Sequence, residues 1–501
     1  MDRIIKSYVD DFWKQNSFAL DIEASKIFEH FVNHTIIEPR IEDTIDIEDI
    51  NIGDDNTIGI DGFALIVDKK LFTDCESLTD YLYSASSSSV SVEIYFIQSK
   101  TSSKFEVKEI NGFGFAVNDF ISQSRKLNWS EVAKERMKLF DLIFESSGKF
   151  KENPICYLCY VSLGRYVGDQ NQESVKDRII EDIDRENLFS KINFECIDTS
   201  KLQNRYKKLG QALQKSFEFE QKLTIPKINN VEESYLGLVR VQEIIKLITE
   251  DDNVIPNIFY DNVRDFQGAN SVNQEIETAL KSGNKDAFVI LNNGITIVTE
   301  GLQIVRNTFT LRNYQVINGC QTSHVLYNNR NSINDSIYVK LKLISSNNAD
   351  LTSQLIRSTN RQTAIDEQDL LAFSEFQRKL EDFYKTYIGL KQLFYERRSK
   401  QFRLQLIDKN RIIDKTTQIK VLGSFIFDKP ETSTRYFGTL FREFKDNLFK
   451  DNHRLTIYYT ASFALFRIQE LLKKGVINHK YKKFKFFILM MLKYEFGIEF
   501  V

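Results

Sequence analysis

Residues 92–100 read Val-Glu-Ile-Tyr-Phe-Ile-Gln-Ser-Lys, and residues 59–62 read Gly-Ile-Asp-Gly. Side chains alternate across a β-strand, so Val92, Ile94, Phe96, Gln98 and Lys100 fall on one face, with the two polar groups at its end. The run Phe63–Val67 behind Gly59–Gly62 predicts a second strand. An acid opening one strand and an amide plus an ammonium ending another make a compact polar site on an apolar sheet. Asp61 and the Gln98 amide are hard oxygen donors of the kind Mg²⁺ takes. Such a cation lowers the pKa of water and offsets charge developing on a phosphodiester, and a lysine can stabilise that same charge. Taken alone, these residues also read as a turn and a solvated strand end.

Outward from this stretch, residues 18–33 carry Leu20, Ala24, Ile27, Phe28 and Phe31 at helical spacing. Nine Asp/Glu and one Arg follow between Glu38 and Asp61, an acidic stretch. The run Ser84-Ala-Ser-Ser-Ser-Ser is too polar to pack and reads as a loop. Residues 128–147 predict a helix, and Ile155–Val161 and Ile192–Ile197 predict buried strands. Helix, strands, helix, strands defines a mixed α/β unit. The division expected is 1–205, a connecting segment over 206–225, and a second mixed α/β domain over 226–501, helical and basic from about residue 370.

Composition sets the limits. With Lys+Arg 67 against Asp+Glu 70 the formal net charge is −3, so the chain is no polycation. Hydrophobic residues at 42% and charged residues at 27% exclude a largely disordered chain. Five cysteines do not make a disulfide framework. Residues 1–18 lack an apolar signal-like run, and Phe486–Leu492 falls far short of the roughly 20 residues that cross a bilayer. The expectation is a cytoplasmic protein without a membrane partner; self-association is left open.

The combination of Gly59–Gly62, the alternating strand, Gln98-Ser99-Lys100 and the upstream Phe28-Glu29 resembles the Mrr-like branch of the PD-(D/E)XK nucleases. The resemblance implies a restriction-endonuclease-like mixed sheet flanked by helices. It implies Asp61 as the metal carboxylate, Gln98 as the amide in place of an acid, Lys100 as the catalytic lysine and Glu29 as an auxiliary acid. Asp61, Gln98 and Ser99 would hold Mg²⁺ or Mn²⁺, and nucleic acid, DNA rather than RNA, would be the substrate. Gln98 follows Asp61 by 37 positions, a long insertion for this pattern.

The second half carries Asn-Gly loops, which favour tight turns. Asn293-Gly294 before Ile295–Val298 reads as a hairpin turn entering a strand. Asn318–Ser323 links the strand Val316-Ile317 to a helix from about Thr322, and backbone N–H groups with the Thr322 and Ser323 hydroxyls can hold a phosphate there. Asn262, Arg264, Gly268, Asn292, Asn293, Gly294, Asn318, Gly319, Gln321, Thr322, Thr359, Asn360 and Gln362, in this order over roughly 226–480, resemble the AIPR (abortive infection phage resistance) family. That family often carries an Mrr-like domain ahead of it and implies anti-phage defence. Asn318, Gly319, Gln321 and Thr322, with Arg397 and Arg398, are the expected phosphate contacts, Arg being suited to bidentate phosphate binding.

Two basic stretches, nine Lys/Arg over 391–420 and six lysines with no acid over 473–485, suit a phosphate backbone or a solvated helix face. His30 and His34 read as helix-surface histidines, and Cys156 and Cys159 as residues on opposite strand faces, so neither pair predicts zinc. The expected activity is metal-dependent nucleic-acid hydrolysis. The alternatives are a binding module with a degenerate nuclease domain, and a nucleotide hydrolase acting through residues 318–323.

Overall fold

A computed structural model describes residues 3–16, 22–41, 46–53, 59–85, 89–210, 213–250, 253–259, 277–280 without 279, 288–333, 337–348, 351–358 without 353, 356 and 357, 375–397, 401, 402, 405, and 407–496 without 436 and 451. The fold is mixed α/β with two compact units, one formed by Met1–Gly210 with Ser374–Val501 and the other by Gln211–Phe373. The helices after residue 374 therefore group with the N-terminal part, whereas the sequence alone joins them to the residues just before them.

In the first unit, helices α1 (Arg3–Asn16) and α2 (Ala24–Ile37) precede strands β1 (Gly62–Val67) and β2 (Lys70–Phe72) and helix α3 (Cys75–Ser84). Then come β3 (Val92–Lys100), α4 (Val107–Ile121), α5 (Glu131–Glu145), β4 (Ile155–Ser162), α6 (Gln170–Asp184), β5 (Lys191–Ile197) and α7 (Thr199–Leu209). The sheet runs β2-β1-β3-β4-β5, with β1 antiparallel to both neighbours and β3, β4 and β5 mutually parallel. Parallel strands are joined by helices that cover both faces, which is why β1 and the middle of β3 are buried on successive residues. Phe63, Leu65, Ile94, Phe96 and Leu158 face a core completed by α3, α4, α5 and α6. Ala64, Ile66, Tyr95, Ile97 and Cys159 face the opposite core, completed by α1, α2 and α7. Cys156 and Cys159 thus lie on opposite faces. The expected helix at 18–33 begins at Ala24 and continues to Ile37, and residues 17–21 are outside the described set.

The second unit holds β6 (Gln214–Glu218), β7 (Gln221–Thr224), β8 (Glu233–Arg240), α8 (Val241–Ile248), and the short pair β9 (Thr249–Glu250) and β10 (Asn253–Val254). It continues with α9 (Phe288–Leu291), β11 (Ile295–Val305), β12 (Thr308–Asn318), α10 (Cys320–Asn328) and β13 (Tyr338–Ser345). Its six-stranded sheet has the order β6-β12-β11-β13-β8-β7. Asn293-Gly294 enters β11 as expected, but from helix α9. The hairpin turn itself falls at the other end of β11, where Arg306 takes a positive φ of 59°. Periodicity marked the strand entry, but the hairpin turn read at Asn293-Gly294 is a helix-to-strand turn, because the Phe288–Leu291 run before it is helical.

The remainder of the first unit comprises α11 (Glu375–Lys385), the parallel pair β14 (Phe394–Glu396) and β15 (Ile412–Asp414), α12 (Lys415–Phe425), α13 (Pro430–Arg435), α14 (Phe437–Phe444), α15 (Leu455–Lys473) and α16 (Lys485–Glu495). Among the described residues no helix is long and apolar enough to cross a membrane.

Candidate functional site

Antiparallel pairing of β1 with β3 puts Gly62 opposite Ile97, so Asp61 stands beside Gln98 and Ser99 at the strand ends. The Asp61 N–H donates to the Ile97 carbonyl at 2.9 Å, and the Asp61 carbonyl accepts from Ile52 N–H at 3.0 Å and Gly53 N–H at 3.2 Å. A short stretch ending at Gly53 therefore runs along the outer edge of β1 and pins the backbone of Asp61. Its side chain is fixed as well: Oδ2 accepts from the Ser99 N–H at 2.7 Å and the Ser99 hydroxyl at 3.2 Å. Ser99, expected as a metal contact, here orients the carboxylate.

Glu29 lies on α2, which packs on the sheet through Phe28, Phe31 and Val32. Its carboxylate accepts from Lys26 Nζ at 2.8 Å, and that ammonium also donates to the Gly53 carbonyl at 3.1 Å. Burial holds the Asp61 carboxyl above its ordinary pKa, against the pull of the Ser99 N–H, Lys100, the Ser99 hydroxyl and Lys26. Burial likewise raises Glu29, helped by the negative charge of Asp61 and opposed by Lys26 and Lys100. Lys26 and Lys100 are both close enough to act on the two carboxyls, and Asp61 acts on Glu29. The sequence-predicted set Glu29, Asp61, Gln98, Ser99 and Lys100 is brought to one place, and Lys26 joins it.

Gln98 is 4% exposed and its Oε1 has no hydrogen-bond partner among the described residues. Leaving a buried acceptor unpaired costs about 1–3 kcal/mol. An unpaired amide oxygen next to Asp61, with two half-buried carboxyls of raised pKa at this end of the sheet, fits a divalent cation, which takes oxygen donors and lowers such pKa values. Among the described residues no group of three or more His, Cys, Asp or Glu side chains could hold a metal; the donors here are acids with a carboxamide. Lys26 was not predicted. Its signal was available as a cation three residues before Glu29 on one helix face.

The Asn-Gly loops also meet. Gly294 and Gly319 adopt φ of +86° and +96°, and a Cβ on Gly319 would lie 2.9 Å from the Gly294 carbonyl oxygen. The Asn292 side chain accepts from the Gly294 N–H at 2.7 Å and donates to the Thr322 hydroxyl at 3.1 Å. Thr322 is buried and occupied with Asn292, while Asn318 and Gln321 are half-buried. The helix begins at Cys320 with Gly319 as its cap.

Arg397, an expected phosphate contact, is 3% exposed, and its Nε donates to Glu381 at 2.8 Å. Its guanidinium is spent inside the protein. Arg398 lies outside the described residues, as do Asn262, Arg264, Gly268, Thr359, Asn360 and Gln362. In the lysine run over 473–485, Lys474 pairs with Glu470 at 2.7 Å and Lys482 with Glu48, whereas Tyr481 and Phe484 are exposed. His34 Nε2 is 2.7 Å from Lys409 Nζ, and burial lowers the His30 imidazole to about 4, which keeps it neutral.

Compared with known proteins, residues 259–499 match the family model described as AIPR protein. That stretch spans part of both compact units. No curated protein matches the chain, and no solved structure does.

Proposed function

We propose that this chain is an anti-phage defence nuclease whose N-terminal part hydrolyses nucleic-acid phosphodiesters with Mg²⁺ or Mn²⁺ in an Mrr-like PD-(D/E)XK site. The observation that carries the reading is that Asp61, held beside Gln98 by its bonds to Ile97 and Ser99, shares its surroundings with Glu29, Lys26 and Lys100, while the Oε1 of Gln98 has no hydrogen-bond partner among the described residues. The mixed sheet with helices on both faces is consistent with it, and the AIPR-matched region supports the defence role.

Asp61, Gln98 and Ser99 would hold the cation, which when bound supplies an ionised water and offsets charge on the scissile phosphate. Ser99 keeps the Asp61 carboxylate in one orientation through its N–H and hydroxyl. Lys100, on the face of Gln98 two residues along β3, places an ammonium where phosphorane charge develops. Glu29, with its raised pKa, can hold the proton that the attacking water gives up. Lys26 orients Glu29 and ties it to Gly53. Water adds to phosphorus, the P–O bond to the leaving sugar oxygen breaks, and that oxygen takes a proton from solvent or a neighbouring acid.

The test is incubation of the wild type, Asp61→Ala and Lys100→Ala with plasmid, single-stranded DNA and RNA, each with Mg²⁺, Mn²⁺ or a chelator. The expected result is cation-dependent cleavage, DNA before RNA, that falls by at least 10²-fold in either variant. Full cleavage by both variants, or equal cleavage in chelator, would reject the assignment.

A further inference from the structure

The lysines over 473–485 separate into distinct edges once the backbone is known. Residues His479–Phe484 form a 3₁₀ helix, and the Asn478 side chain fixes its first turn by accepting from the Lys480 N–H at 3.1 Å. Such a helix has three residues per turn, so positions three apart share an edge. One edge carries Lys482, which pairs with Glu48 and, at 3.8 Å, with Asp46. That edge anchors the segment to the N-terminal part of its own compact unit. The second edge carries Lys480 and Lys483, both exposed. The third carries Tyr481 and Phe484, 45% and 51% exposed. At about 2 Å rise per residue the two aromatic residues stand about 6 Å apart along the axis. The Lys480 ammonium lies 5.0 Å from the centre of the Tyr481 ring, so cation and ring are presented together.

Charge at this surface is positive. No acid lies between Lys473 and Lys485. Glu470, the last acid before the run, is paired with Lys474 and Arg467, and Asp46 and Glu48 are paired with Lys482. Glu495, the next acid after it, stands at the far end of α16. Among the described residues neither Lys480 nor Lys483 forms an ion pair. An exposed lysine edge alone is a solvated face. Two aromatic residues left open along its border are an apolar patch that solvation does not explain.

We propose that this surface binds a single nucleic-acid strand, its bases stacking on Tyr481 and Phe484 while Lys480 and Lys483 contact its phosphates. Every base has a π-face, so such stacking accepts any sequence, and lysines beside the rings follow the backbone. In a duplex the bases are already stacked and paired, which leaves the rings nothing to take. The inference goes beyond the cleavage reading above, because binding here needs neither the cation nor Asp61.

The test is fluorescence anisotropy of labelled oligothymidylate, oligouridylate and a DNA duplex with the full chain in chelator at several salt concentrations. It compares the wild type with two double variants, Tyr481→Ala with Phe484→Ala, and Lys480→Gln with Lys483→Gln. The wild type should bind a single strand more tightly than the duplex. Removing both rings should weaken single-strand binding by at least about fivefold, the low end for one stacked base. Removing both lysines should make the salt slope shallower by about 1.4, since each phosphate contact on a single strand contributes about 0.7. Tyr481→Phe with Phe484→Tyr keeps both rings and should bind as the wild type. If the alanine variant fails to fold, the lysine variant carries the comparison. Single-strand binding unchanged in the double variants, or a wild type that prefers duplex or binds no oligonucleotide, would overturn the inference. Binding to anionic phosphatidylserine vesicles in place of oligonucleotide would overturn it too. Every arm is read in chelator, so a failure here leaves the cation site standing, and a failure of cleavage leaves this surface standing.

Discussion

Asp61 keeps its carboxylate where burial opposes ionisation, and among the described residues Ser99 alone bonds it directly. Its pKa in the folded chain is raised above the unfolded value, so the native state binds a proton more tightly than the unfolded state does. Stability without a cation should therefore fall as pH rises from the ordinary carboxylate range through the raised value, and Glu29 adds a contribution of the same sign. Asp61→Asn removes the charge yet keeps an acceptor for the Ser99 N–H. It should raise the melting temperature at neutral pH in chelator and flatten this acid-side dependence, while eliminating stabilisation by Mn²⁺; differential scanning calorimetry across pH measures all three. Arg397 shows the opposite electrostatics. The Glu381 carboxyl is below its ordinary value: burial pushes it up, but the bonds from Arg397 and Gln401 outweigh that. Stability from this pair is present above the ordinary carboxylate range and is lost as pH falls through the lowered value. Arg397→Ala removes the buried partner of Glu381 and leaves it, among the described residues, only Gln401 and the largely exposed Lys385 at 3.5 Å, so it should cost about 2–3 kcal/mol in denaturant unfolding, below the full penalty for an unpaired buried charge. Nucleic-acid affinity per folded molecule should stay unchanged; a selective loss of affinity would return Arg397 to phosphate binding.

Among the elements, strands β1 and β3 were the most legible, because alternation and β-branched content specify a strand wherever helices cover both faces. The 92–100 reading coincides with β3 from end to end. Helix α4 (Val107–Ile121) was not singled out: Gly112 and Gly114 interrupt its pattern, and Gly114 is there because any Cβ would strike Ile179 of α6, a reason only the packing supplies. The junction of β12 and α10 was legible as a small-residue loop, but its closeness to the other Asn-Gly loop was not. Gly319 combines a φ of +96° with close approach to the Gly294 carbonyl and Ile295. Gly319→Ala should therefore cost about 2 kcal/mol, within the range for a strained left-handed residue, as read by a lowered denaturation midpoint.

On the scale of the whole molecule, both cores of the N-terminal sheet are built from residues before Gly210. The hydrogen bonds and ion pairs that link this part to the C-terminal helices are polar, among them Arg442 with Asp80 at 2.8 Å, Lys482 with Asp46 at 3.8 Å and with Glu48, and Lys409 with His34. Partly exposed ion pairs contribute about 0–1 kcal/mol each, far less than two apolar cores. A Met1–Gly210 fragment should consequently fold alone, with one cooperative melt by circular dichroism and a modestly lower midpoint than the same part in the full chain. A fragment without a cooperative transition would mean that the C-terminal helices complete its core.

By itself the sequence determined the alternating strands, the placement of Asp61, Gln98, Ser99 and Lys100 at strand ends, and the order of the Asn-Gly loops. Those features depend on neighbours within a few positions, where local geometry alone fixes which side chains share a face. Only the tertiary structure decided that Glu29 and Lys26 reach Asp61, that Arg397 is consumed by Glu381, and that residues after 374 join the N-terminal unit. Each of these depends on chain segments distant in sequence being brought together, and what fixes them is burial: the desolvation of charges and amides that no local pattern records.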